Sequence, residues 1–179
     1  EEVDEAPELP DRPSVVVLPF ADFGAEPRWA WFADCIVEDV TTALSRFRDL
    51  FVVARNSAYA WRAQAGGGRD VRGVARALGV RYVVEGSVRI VGAHVRATAQ
   101  LIDAVSGSHV WAENIDGAVE DPFAMQTRIA EGIVSALAPQ IDAAEAARMR
   151  RAPPVDLGAF GKAQAAWAVV SVGEMAFDT

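Results

Sequence analysis

Between Pro13 and Pro19 lies Ser14-Val15-Val16-Val17-Leu18, an apolar run with no alternation in it. A strand with one wet face shows a polar residue at every second position, so this run belongs to a strand covered by helices on both faces. The residues after it agree. Beyond a loop from Ala21 to Pro27, Trp29, Phe32, Ile36, Val40, Leu44 and Phe47 recur at steps of three and four, one stripe of an amphipathic helix. Asp34, Glu38, Asp39, Thr42 and Arg46 fall on its other side. Leu50-Phe51-Val52-Val53 then forms a second buried run. Strand, helix and strand at this spacing make a βαβ unit, whose two strands run parallel.

Asn56-Ser57 caps a short turn or helix carrying Tyr59 and Trp61, and Gly66-Gly67-Gly68 is a flexible break. Asp70 is placed to cap the next helix, with Val71, Val74, Ala75 and Leu78 inward and Gly79 at the left-handed position after its end. A third strand follows from Arg81 to Ile90. A two-residue turn at Gly92-Ala93 pairs Ile90 with Val95, Val88 with Ala97, Gly86 with Ala99 and Val84 with Leu101. Glu85 then faces Gln100 and Ser87 faces Thr98. A slip of one residue sets Val88 against Arg96 and mixes the faces, so the first register is the expected one. Asp103 to Ser108 closes a second hairpin into His109-Val110-Trp111-Ala112-Glu113, completing an antiparallel meander.

Asp121-Pro122 starts a helix with an acidic cap and a proline in first position. Phe123, Ala130, Ile133, Val134, Leu137 and Ile141 line its apolar side, and Pro139 kinks or ends it. The fold class is α/β: a mixed sheet with a parallel βαβ start and an antiparallel three-strand meander, helices packed on the sheet. Residues 1–12 read as an acidic linker and 13–151 as the α/β domain, closed by a charged helix from Ala143 to Arg151. Residues 152–158 read as a second linker, and 159–179 as the start of a truncated helical domain.

The formal charge of −8 repels nucleic acid. The single cysteine, Cys35, excludes an internal disulfide and a multi-cysteine metal site, and its helical setting marks it as a small buried hydrophobe. No apolar run reaches the roughly 20 residues of a membrane span. Gly66-Gly67-Gly68-Arg69 lacks the ending of a phosphate loop. His94 and His109 sit on strand ends without a cysteine or acid at metal spacing, and Asp34, Glu38 and Asp39 read as a solvated helix face. Neither a catalytic set, nor a metal site, nor a cofactor emerges.

Two surfaces remain. The polar side of the meander carries Glu85, Ser87 and Arg89 facing Arg96, Thr98 and Gln100, with Trp111 and Glu113 on the next strand. Arg89 and Arg96 stand directly opposite, an arrangement that needs an acid or an anion, and Glu113 lies diagonal to Arg96. This face is either solvated, helix-covered, or a site for a partner or anion. Arg55-Asn56-Ser57 follows the carboxyl end of a parallel strand, where α/β sheets bind ligands, although its plainer reading is a turn and helix cap.

The residues from Pro13 to Phe20, Trp31 to Asp34, Glu38 to Ser57, Leu78 to Arg89, Thr98 to Asp103 and Ser106 to Glu113 together resemble the TolB-like amino-terminal module of bacterial multidomain regulators. The resemblance covers roughly 13–151. The form Ser45-Arg46-Phe47-Arg48-Asp49-Leu50-Phe51 is most similar to the version attached to class III adenylate cyclases with tetratricopeptide repeats. Cys35 departs from that pattern, which usually has glycine there. The resemblance implies a non-catalytic regulatory or protein-interaction module, with protein partners or self-association and no catalytic residues of its own. The expected location is the cytoplasm, or the periplasm if a membrane span precedes these residues. The alternative is a small-ligand or anion-sensing domain of a transcriptional regulator or kinase.

Overall fold

The structure is a computed structural model and describes residues 12–24, 26–64, 70–118 and 120–151. The acidic opening, the Gly66–Gly68 break and everything after Arg151 lie outside the described residues. The chain divides into two compact units, Glu1–Glu145 and Ala146–Thr179, and the whole sheet lies in the first.

That sheet is built from β1 (Ser14–Val17), β2 (Ala21–Asp22), β3 (Phe51–Val52), β4 (Tyr82–Val91), β5 (His94–Asp103) and β6 (Ser108–Ala118), in the order β3-β1-β4-β5-β6 with β2 pairing β4. β1 pairs both β3 and β4 in parallel, and β4, β5 and β6 are antiparallel. Among the described residues four α-helices accompany it: α1 (Phe32–Leu44), α2 (Arg55–Gln64), α3 (Val71–Leu78) and α4 (Pro122–Arg151).

The unbroken apolar run has the expected cause. Val15 and Val17 enter one core with Phe32, Ile36, Val40 and Leu44 of α1 and Ile129, Ile133 and Leu137 of α4. Val16 and Leu18 enter a second core with Ala58 of α2 and Val74 and Ala75 of α3. β1 is therefore wetted on neither face. Each such fully buried side chain contributes roughly 1.5–3 kcal/mol of hydrophobic transfer free energy. Asp70 Oδ1 accepts from the Gly73 amide at 2.9 Å to cap α3, and Gly79 ends it at φ 63°. The β4–β5 register is the expected one throughout, from Ile90 opposite Val95 to Val84 opposite Leu101.

Several elements differ from expectation. Trp29 lies in a 3₁₀ turn, Pro27–Trp29, and Phe47 lies past the end of α1 and is exposed, so the helical stripe is shorter than its sequence period. Residues 21–22 are a strand rather than loop. β3 is a half-buried edge of two residues. Phe123 is exposed, and Met125 and Ile129 begin the buried side of α4. Asp121 Oδ1 caps α4 by accepting from the amides of Phe123 and Ala124 at 3.0 and 3.1 Å. Pro139 stays inside the helix: it has no N–H to offer the Ser135 carbonyl, yet the buried side holds before it at Leu137 and after it at Ile141 and Glu145.

Candidate functional site

The polar side chains of β4 and β5 share the face of Val83, which belongs to the core under α2 and α3. Those helices cover its near end. Glu85 and Gln100 are half-buried there, with Gln100 Nε2 donating to Glu85 Oε2 at 3.2 Å. The next rung is Ser87 opposite Thr98, whose hydroxyl donates to Asn114 Oδ1 at 2.7 Å. The far rung is Arg89 opposite Arg96, both exposed.

Relief of that like-charge pair comes from a residue the sequence reading missed. Arg96 donates from both Nε and a terminal nitrogen to Asp116 at 2.6 and 3.0 Å. The bidentate bond holds the Asp116 carboxyl below its ordinary range and raises the guanidinium. Arg89 lies 6.0 Å from the ring centroid of Phe23. Glu113 is not diagonal to Arg96: it pairs with Ala99, on the other face, and Trp111 likewise pairs with Leu101 and packs against the α1–α4 core.

The reason is one β-bulge. Ile102 pairs His109 but Leu101 pairs Trp111, so β6 spends an extra residue at Val110. Every later side chain moves to the opposite face, which exchanges Glu113 for Asp116. Ile115, half-buried at the same parity as Trp111, was the available signal that the strand runs on beyond Glu113.

Arg55, Asn56 and Ser57 are not a cap. They form the first turn of α2, with Asn56 and Ser57 exposed. Arg55 is engaged within the fold: its guanidinium lies 4.5 Å from the centroid of the Tyr59 ring and 3.9 Å from Glu38. Tyr59 in turn donates to Asp34 Oδ1 at 2.5 Å, and Gln126 of α4 donates to Asp39 Oδ2 at 2.5 Å. The acidic face of α1 is thus tied to α2 and α4. Burial first, then the bond to Asp34, pushes the Tyr59 hydroxyl up to about 12, against the lowering effect of Arg55. Cys35 is half-buried rather than buried, and desolvation followed by the charges of Glu38, Asp39 and Asp34 raises its thiol, which keeps it protonated.

A third polar group sits where α4 meets the sheet. Glu145, only 4% exposed, accepts from the Tyr82 hydroxyl at 2.7 Å and lies 3.6 Å from Arg81 Nε. Arg81 also donates to Asp103 Oδ2 at 2.8 Å. Buried carboxylates persist only with such partners. Among the described residues no group of three or more His, Cys, Asp or Glu is placed to hold a metal ion, and no helix is long and apolar enough to cross a membrane.

The structure therefore leaves the proposed site residues in separate places. Glu85, with Ser87, Thr98 and Gln100, lines a cleft of about 180 Å³ that also takes in Arg62 of α2. Arg89 and Arg96 line a more open hollow of about 520 Å³ with His94 and Asp116. Arg55 belongs to the α1–α2 contact, and Glu113 to the opposite face of the sheet.

No family model matches the chain. Over 154 residues, 86% of the chain, it is 45% identical to the Rhizobium meliloti protein named "Putative adenylate cyclase 3", and the matched part spans 26% of that protein. Among solved structures, lipoprotein GNA1162 from Neisseria meningitidis has a similar fold, with a TM-score of 0.53 at 15% identity over 71% of this chain and 99% of that one. The hypothetical protein CT253 from Chlamydia trachomatis gives 0.52 at 14% identity, over 74% and 99%. At such identities these two likenesses concern the fold alone.

Proposed function

We propose that this chain is a non-catalytic regulatory or protein-interaction module, of the TolB-like kind, within a class III adenylate cyclase that makes cAMP. The observation that carries the reading is the 45% identity to part of a protein named as a cyclase, a part that leaves most of that protein's length for other work. The polar groups described above support a regulatory rather than a catalytic role. Arg96, Arg55 and Glu145 are each matched by an internal partner, as structural ion pairs are. Signal transfer would run through α4, which the Tyr82–Glu145 bond anchors to the start of β4 and which continues to Arg151. Binding of a protein partner, or self-association, would shift that anchored helix. Tetratricopeptide repeats after the second linker and a cytoplasmic location belong to the same reading.

The test has two parts. The isolated chain, incubated with ATP and Mg²⁺ or Mn²⁺, is expected to form no cAMP, and reproducible turnover from it would overturn the proposal. In the whole cyclase, Tyr82→Phe is expected to alter the ratio of stimulated to basal output while the isolated chain stays folded. An unchanged ratio removes α4 as the route.

A further inference from the structure

The topology creates a ligand-prone crevice that the regulatory reading does not use. From β1 the chain leaves toward β3 through α1 on one face, then crosses back to β4 through α2 and α3 on the other. β1 ends at Val17 opposite Val84, whereas β4 runs on to Val91 before turning into β5, so the carboxyl end of β1 lies against the middle of β4. Open α/β sheets take their ligands at the carboxyl ends of their parallel strands.

Here the crevice has a local cause as well. Leu18 still donates to the Val84 carbonyl at 2.9 Å, but Pro19 has no amide, and pairing with β4 resumes only at Ala21 opposite Ser87. Between them Phe20 turns to the α1–α4 core, against Gly86. The opposite side of the gap stays open as the cleft bounded by Pro19, Arg62, Glu85, Ser87, Thr98 and Gln100.

Its chemistry is specific. Arg62 is half-buried and makes no ion pair among the described residues. Across the cleft, Glu85 uses Oε2 to accept from Gln100 and leaves Oε1 without a hydrogen bond among the described residues. An unmatched cation and a half-used carboxylate line one small space without touching. A lone anion meets repulsion from Glu85, and a lone cation meets it from Arg62. A molecule with both charges satisfies both walls. The volume, about 180 Å³, is below the roughly 300–1,000 Å³ of drug-sized pockets and amounts to about six waters at ~30 Å³ each.

We propose that this cleft binds a small zwitterion of the α-amino-acid class, its carboxylate on Arg62 and its ammonium on Glu85. The site is independent of the module's place in a cyclase, because binding is read on this chain alone.

The twenty common L-amino acids, each added singly to the purified chain, provide the test by thermal shift and calorimetry, with acetate and methylammonium as the two half-ligands. At least one amino acid is expected to raise the melting temperature by roughly 5–10 °C at a hundredfold excess over its Kd. Neither half-ligand should do so. Arg62→Gln and Glu85→Gln should each weaken binding at least tenfold. Ser87→Leu, which narrows the cleft without touching either charge, should abolish it. That third variant keeps the test alive if a charge variant fails to fold. No shift with any amino acid at about 20 mM overturns the proposal. So does full binding in a folded Arg62→Gln or Ser87→Leu protein, and so does an equal shift with acetate alone.

Discussion

Gly86→Ala probes the packing that joins the break after β1 to the meander. A methyl built at Gly86 falls 2.5 and 2.7 Å from Cε2 and Cδ2 of Phe20, and nearer still to Cζ. Carbon atoms pack at roughly 3.5–4.0 Å, so either the ring shifts by about 1 Å or it leaves. Shifting a ring that is only 6% exposed is overpacking, at about 1–3 kcal/mol. Expelling it forfeits the burial of a phenylalanine, about 1.5–3 kcal/mol. Replacing a strand glycine by alanine returns about 0.5–1 kcal/mol of backbone entropy. The net loss is then about 1–2 kcal/mol. Urea titration should show the midpoint lowered by about 0.5–1 M at an m-value near 2 kcal/mol/M, with the slope unchanged. On a Phe20→Leu background the same substitution should cost less than about 0.5 kcal/mol, because the pair is in contact and couples. An equal cost in both backgrounds, or a more stable Gly86→Ala protein, would refute the packing argument.

Gly132→Ala, on the exposed side of α4, brings a methyl 3.1 Å from the free end of Ile115; helix propensity, about 1 kcal/mol, should win over that small adjustment and raise the melting temperature. Carbon-detected NMR should show Asp116 titrating below its ordinary 3.8, and returning toward it in Arg96→Gln, whereas Glu113→Ala should leave it unmoved. A carboxylate depressed in this way stabilises the fold above its ordinary pKa and ceases to as pH falls through the folded value; the exposure of the pair to solvent keeps the effect small. The chain has two tyrosines, and burial raises both hydroxyls, so the absorbance of tyrosinate should stay flat through pH 10. Their stabilising effect is present below that pH and is lost as pH rises toward about 12 for Tyr59. A tyrosinate step at pH 10 in the folded protein would contradict the Tyr59–Asp34 and Tyr82–Glu145 bonds.

The sequence by itself determined whatever depends on short-range periodicity. The run from Val15 to Leu18 demanded cover on both faces, and two cores supply it. The alternation on either side of Gly92-Ala93 allowed one register that kept polar and apolar faces apart, and Asp70, Gly79 and Asp121 mark helix ends through their own backbone chemistry. The tertiary structure decided the rest, for reasons no local pattern carries. A bulge at Val110 costs one residue and reverses every side chain after it, so the acid beside Arg96 is Asp116 and not Glu113. Helical period cannot say where α1 stops, nor that Pro139 is carried within a helix whose flanking turns are buried. Nor can it bring Arg62 of α2 to face Glu85 of β4, because that meeting depends on a chain crossing over β1 and on the gap that Pro19 leaves in the ladder. Charge partners are chosen in space, and only the fold sets which residues share it.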